Sequence, residues 1–328
     1  MTPRVAGEGP NAGVQTDAAP ANITSHLSHD TRKNTDMNAF AATRLLRSGL
    51  AALLFATIGL QAHAQSGDDK YQPQVGQSGK DVVWVPTNDE LVRRMLEVAK
   101  VTKDDLLFDL GAGDGKIAIT AARIHGARSV GIEFNPEMAA LAKRNAERAG
   151  VSDRVTIING DIFKEDFTKA TVISMYLLPE LNLRLRPTLL KMRPGTRLVT
   201  NSFTMGDWEP DQVFSASTSG FGGSSGYFWI VPAQVDGEWN LDGMDGNASV
   251  RLNITQKYQR VGGSITVGGK TQPLLDPRLE GAELTFRYLA PSTGQLQVVK
   301  ANYTDAGTLK GQVGLYSSNG FEGRRVSK

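Results

Sequence analysis

The chain has 328 residues, with 36 Lys and Arg against 34 Asp and Glu for a formal net charge of +2, four His and no Cys. The lack of Cys excludes disulfides, thiolate catalysis and Cys-bound zinc, and the balanced charge gives no electrostatic footprint for nucleic acid. The length suits one large domain with a smaller companion, or two medium ones.

Residues 1–36 are polar, rich in Ala, Gly, Asn and Asp, and show no apolar periodicity. They read as a disordered extension, or as sequence upstream of the true start at Met37. Arg44 and Arg47 then precede an apolar run from Leu50 to Leu60 and the triplet Ala62-His63-Ala64. A basic start, a short apolar core and an A-x-A site make a secretory signal peptide over 37–64. The expected location is periplasmic or otherwise exported. The alternative is an uncleaved inner-membrane anchor with membrane proximity, although the run is short for a span. Loss of the leader removes His26, His29 and His63 and leaves His125, which argues against a multi-His site, so no metal is expected. His125 just before Gly126 reads as a helix C-terminal residue rather than a hydrolase base.

Residues 65–80 are rich in Gly, Gln and Ser and read as a linker. From 81 to about 203, within a domain placed at 81–234, apolar strands alternate with amphipathic helices, the pattern of a parallel sheet with crossover helices. A helix over 89–100 carries Leu91, Met95, Val98 and Ala99 on one face, with Thr87 and Glu90 as a capping box. A strand over 106–110 meets Gly111, Gly113 and Gly115 and a helical run over 117–124. A second strand, 129–134, ends near Glu133. The next helix, 136–149, has Asn135 as its cap, Pro136 at its first position and Gly150 as its stop. A third strand, 155–158, runs into Asn159-Gly160-Asp161-Ile162-Phe163. A fourth, 171–178, runs into Pro179-Glu180.

Residues 207–226 are rich in Gly and Ser and read as a long surface loop, followed by an apolar strand over 227–231. Over 235–328 the period changes to two, as at Val250, Leu252 and Ile254 and again at Leu284, Phe286 and Tyr288. Val261-Gly262-Gly263-Ser264 reads as a hairpin turn. This part is expected to be a small antiparallel β-barrel or sandwich.

The segment Asp109-Leu-Gly-Ala-Gly-Asp-Gly115 carries the chemistry. Its glycines permit a sharp turn and a close ligand approach, and the turn delivers free N–H groups to a helix start. On its own such a turn is a strand-helix junction. Three acidic residues at successive strand ends change that reading. Glu133 can accept both ribose hydroxyls of a nucleoside, and Asp161 beside Ile162 suits an adenine ring with a polar edge and apolar faces. The bland alternatives are a turn brace for Asp109, a solvated strand end for Glu133 and a helix cap for Asp161.

The order DLGAGDG, GIEFN, NGDIF and YLLPE resembles the class I S-adenosylmethionine (SAM)-dependent methyltransferases. More narrowly, it is similar to the protein-lysine methyltransferases related to the mitochondrial ATP synthase c-subunit lysine methyltransferase. Trp84-Val-Pro-Thr87 and Asn201-Ser-Phe203 add to the match, which covers roughly 82–232. The resemblance implies an α/β fold: a Rossmann-like seven-strand methyltransferase sheet followed by the β-domain. It implies SAM as the cofactor, with Asp109, Gly111, Ala112, Gly113 and Gly115 at its methionine end. It also implies Glu133 at the ribose, with Asp161 and Ile162 at the adenine. Trp84, Pro86, Thr87 and Tyr176 would lie near the transferring methyl, and Tyr176, Glu180 and Thr87 are the candidate catalytic residues. The implied reaction is protein-lysine N-methylation, with a protein as methyl acceptor and no nucleic-acid partner. The leader and the β-domain depart from the family, and SAM is a cytosolic metabolite.

Two other readings use the same residues. A NAD-dependent oxidoreductase shares the Gly turn and the acidic strand end, but its fingerprint needs Gly or Ala where Lys116 stands. An exported nucleotide-fold binding module without catalysis would keep the cradle and lose the reaction. The acceptor, the number of methyl groups added and the oligomeric state are not written in the sequence.

Overall fold

A computed structural model describes residues 67–217, 223–244, 249–314 and 320–327. The expected extension at 1–36, the signal peptide at 37–64 and the first two linker residues lie outside the described residues.

Helix α1 (Asp89–Val98) begins where the Asn88 side chain accepts the Glu90 N–H at 2.9 Å. The cap expected at Thr87 is therefore one residue later. Asn88 sits in extended backbone with its amide oxygen in reach of the first turn. Thr87 is buried instead, and its hydroxyl accepts from the Asn201 amide at 3.2 Å.

Strand β1 (Leu106–Leu110) is followed by α2 (Lys116–His125), which ends on Gly126 at φ 70. Only a residue free of a Cβ takes that left-handed stop cheaply. Next come β2 (Arg128–Glu133) and α3 (Pro136–Arg148), where the Asn135 side chain accepts the Glu137 and Met138 N–H groups. They are followed by β3 (Val155–Asn159), β4 (Val172–Met175), α4 (Pro179–Leu189) and β5 (Arg197–Asn201). β4 is shorter than the run expected over 171–178, because Tyr176-Leu177-Leu178 leaves the sheet to enter α4.

The expected loop over 207–226 holds the edge strand β6 (Gln212–Ser215) and the start of β7 (Ser225–Ile230). β6 gave no pattern because Phe214 is its one buried residue. Phe214 packs on Gly226, where a Cβ would collide with the ring. The sheet order is β3-β2-β1-β4-β5-β7-β6, parallel except for β7, which pairs antiparallel with both β5 and β6. The order reverses between β1 and β4, so a crevice opens at their carboxyl ends.

The second sheet runs through β8 (Gly237–Asp242), β9 (Val250–Lys257), β10 (Arg260–Val267), β11 (Lys270–Pro273) and β12 (Leu275–Glu280). It continues through β13 (Glu283–Leu289), β14 (Leu296–Tyr303), β15 (Leu309–Val313) and β16 (Gly320–Ser327). All pairs are antiparallel, in the order β11-β10-β9-β8-β16-β15-β14-β13-β12. Gln272 of β11 bonds both backbone groups of Leu289 in β13, which nearly closes the sheet into a barrel. Trp239, Leu252, Ile254, Ile265, Leu284 and Phe286 fill its interior from alternate positions.

The hairpin turn expected at 261–264 lies elsewhere. Gly262 and Gly263 are inside β10, and Gly263 has no room for a Cβ against the Asn253 carbonyl. The chain reverses at Tyr258-Gln259, with Tyr258 at φ 57. Glycines here answer crowding between strands, and a bulky residue accepts the left-handed turn.

Candidate active site

A cavity of about 250 Å³ opens at the carboxyl ends of β1, β2 and β4. Its floor is the turn after β1. Gly111 and Gly113 have φ of 82 and 55. A Cβ on Gly111 would lie 3.0 Å from Leu177, and one on Gly113 would lie 2.7 Å from Trp84 Nε1. Side chains there would meet the walls, so bare backbone faces the cavity. Gly115 acts differently. It precedes α2 at φ 82, and its Cβ would meet Ala142 of α3 at 3.1 Å.

Three carboxylates converge on this floor. Asp109, on β1, is 2% exposed and accepts from the Ser174 hydroxyl at 2.8 Å. Burial pushes its carboxyl up to about 7, against the pull of Ser174 and with help from the negative charges of Asp114 and Glu133. Burial also raises Asp114 and Glu133. Glu133 accepts the Gly113 N–H at 2.9 Å on one oxygen and the Asn135 N–H at 2.8 Å on the other. Those bonds fix the carboxylate and leave each oxygen a further lone pair for a ligand hydroxyl. The concentrated negative charge suits a cationic ligand.

The Asp109 value predicts a pH profile. Its folded value of about 7 lies above the ordinary 3.8. Its stabilising contribution is therefore complete below 3.8 and lost as pH rises through about 7. Urea midpoints of the free protein should fall over that window, and Asp109→Asn should flatten the fall. A wild-type profile that rises there would contradict a buried, neutral Asp109.

At the far end, Asp161 accepts the Phe163 N–H at 3.0 Å and pairs with Lys80 Nζ at 2.9 Å. Those two partners, the N–H first, hold its carboxyl below the ordinary range. Lys80 also lies 4.8 Å from the Phe134 ring centre. It belongs to the segment 77–87, which forms one wall of the cavity.

The opposite end is walled by Trp84, Thr87, Tyr176 and Phe203. The Tyr176 and Phe203 rings stack with centres 6.2 Å apart. Phe203 follows Ser202, a left-handed residue at φ 63, and its carbonyl accepts the Thr200 hydroxyl at 2.6 Å. Lys116 Nζ is held by the Thr87 carbonyl at 3.0 Å and by Asp89 at 2.8 Å.

Of the residues singled out from sequence, Asp109, Gly111, Ala112, Gly113, Glu133, Asp161, Ile162, Thr87 and Tyr176 line this one cavity. Gly115 stands behind it in the α2–α3 contact, and Glu180 is exposed on the first turn of α4. Sequence reading missed Asp114, Lys80, Phe134 and Phe203 as lining residues. Asp114 was within the Gly motif and Phe203 within Asn201-Ser-Phe203, so both had a signal. Lys80 had none, because its partner is 81 residues away.

Residues 109–212 match the model of a family described as the ANTKMT methyltransferase domain. A protein-lysine N-methyltransferase of Saccharolobus islandicus is 46% identical over 134 residues, which are 40% of this chain and 83% of that protein. The adenine nucleotide translocase lysine N-methyltransferase of Mus musculus is 32% identical over 113 residues, which are 34% of this chain and 49% of that protein. Among solved structures, an RNA methyltransferase of Salinibacter ruber, crystallised with S-adenosyl-L-homocysteine, is 46% identical over 46% of this chain and 96% of its own, with a TM-score of 0.44.

Proposed function

We propose a residue-level function from one premise: the chain belongs to the protein-lysine N-methyltransferase family. It is a SAM-dependent methyltransferase, and the proposed acceptor is the side-chain amine of a protein lysine. The observation that carries the site assignment is the joining of bare backbone at Gly111 and Gly113 with the carboxylates of Asp109, Asp114 and Glu133 in one cavity. SAM fits this donor set in its charge, its two ribose hydroxyls and its adenine edge. When bound, it supplies a methyl group made electrophilic by a sulfonium sulfur.

The chain's residues then have definite tasks. Glu133, already fixed by two N–H donors, accepts the ribose hydroxyls. A cation at the methionine end draws the Asp109 and Asp114 carboxyls, raised by burial in the free protein, toward the charged form that opposes it. Asp161 and Ile162 flank the adenine. Trp84, Thr87, Tyr176 and Phe203 wall off water and align the acceptor amine, the main requirement of an in-line displacement. A lysine amine has an ordinary value of about 10.4, and burial beside a cation lowers it, so no dedicated base is compulsory. Tyr176 is the candidate contact for the amine. Glu180 could serve only an amine arriving at the exposed start of α4.

The oxidoreductase reading is not favoured. Lys116 occupies the last fingerprint position, and its ammonium is bonded to Thr87 and Asp89. The expected leader makes cell-envelope proteins the first acceptors to test. Envelope extract should gain label from methyl-labelled SAM with purified protein, and mass spectrometry should place whole methyl increments on lysine. Label found in RNA, or no label beside intact SAM binding, would overturn the lysine reading.

A further inference from the structure

The turn at Tyr258-Gln259 belongs to the second sheet, yet it packs against the first. The Tyr258 ring stacks on Trp208 at 5.8 Å and joins the core cluster of the methyltransferase sheet. Its hydroxyl donates to Asp207 at 3.0 Å. Gln259 accepts the Trp208 indole N–H at 3.0 Å and donates to the Glu209 carbonyl at 2.7 Å. Trp208 is fully buried, so without Gln259 its N–H would be left without this partner, a costly state for a buried donor.

What this tip grips is the connection between β5 and β6, and that connection carries Phe203. Arg186 of α4 donates to the Met205 carbonyl at 2.8 Å and to Asp207 at 2.7 Å, with its guanidinium 5.7 Å from the Tyr258 ring centre. α4 follows directly on Tyr176-Leu177-Leu178. Both halves of the Tyr176–Phe203 wall therefore lead to the contact made by Tyr258, Phe203 through the short run to Asp207 and Tyr176 along α4 to Arg186.

We propose that the Tyr258-Gln259 tip is a positioning element for methyl transfer, which holds the β5–β6 connection so that Phe203 stands against Tyr176 at the acceptor end of the cavity. The added sheet thus takes part in the reaction by fixing one wall of the site. The proposal rests on the methyltransferase reading above. A left-handed Tyr at φ 57 at the tip fits the role, since non-glycine residues are held in that region only when surrounding contacts determine it.

The test uses the full chain with poly-L-lysine as methyl acceptor, SAM calorimetry, and hydrogen exchange at residues 203–205. Tyr258→Ala should lower kcat about tenfold, within the range expected for misalignment of reacting groups, and should speed exchange at 203–205. SAM affinity should stay within about twofold, because the tip touches none of the floor carboxylates. Tyr258→Phe keeps the stack and should recover most of the rate. Should Tyr258→Ala not fold, Gln259→Ala, which keeps the stack, should show the same split in smaller measure. Wild-type kcat and exchange in a folded variant would overturn the proposal, as would SAM affinity falling in step with kcat. If the unaltered protein labels no poly-L-lysine, envelope extract replaces it as acceptor; if that too stays unlabelled beside intact SAM binding, the acceptor reading fails, and the exchange rates alone then decide whether the tip fixes Phe203.

Discussion

Glu133→Ala should weaken binding of SAM and of S-adenosylhomocysteine about 100-fold while the fold persists. Glu133 is the residue best prepared for a ribose: both oxygens are held by backbone N–H groups at 2.9 and 2.8 Å. Two ribose hydroxyls would donate to an anionic acceptor, and hydrogen bonds to charged groups contribute about 1.5–3 kcal/mol each. A loss near 3 kcal/mol is about 100-fold in affinity. Stability should change little in comparison, since burial already raises the Glu133 carboxyl and its removal relieves that desolvation. Calorimetry with both ligands, beside thermal melts, separates the effects. Unchanged affinity in a folded variant would remove Glu133 from the site.

Gly113→Val should abolish measurable SAM binding and change the fluorescence of Trp84. The residue sits at φ 55, and a Cβ there would lie 2.7 Å from the Trp84 indole nitrogen. A β-branched residue in that region costs on the order of 1–3 kcal/mol in backbone strain. The added bulk has two ways out, into the cavity or against Trp84, and either one damages the floor. Gly150→Ala supplies the control. Gly150 has φ 67 and nothing within 4 Å of a built Cβ, so it isolates the backbone cost. That variant should lose about 1 kcal/mol of stability and bind SAM normally. Normal binding by Gly113→Val would show that the cavity floor is not where the ligand lies.

The floor of the site was legible in the sequence because its residues are local. Asp109 through Gly115 is the end of one strand and the turn after it, Glu133 ends an apolar strand and Asp161 follows one. Features that depend on distant partners were not legible. Lys80 meets Asp161 across 81 residues. Asn88 takes the α1 cap while Thr87 turns inward to Asn201, a pairing separated by 114 residues. β6 was hidden because only Phe214 in it is buried, and one apolar residue sets no period. The β9–β10 reversal was misplaced because Gly-Gly is the stronger local signal, and only the packing of Tyr258 against Trp208 explains a tyrosine in a left-handed turn. Composition and period identified the second sheet as antiparallel, but not that its tip would reach the methyltransferase core.

A crystal of the full chain grown with S-adenosylhomocysteine tests the site assignment most directly. The ribose hydroxyls are expected on Glu133, the amino-acid end over Gly111 and Gly113 beside Asp109, and the adenine edge at Asp161. Ligand bound outside this cavity, or bound within it with Glu133 still engaged only by Gly113 and Asn135, would contradict that assignment.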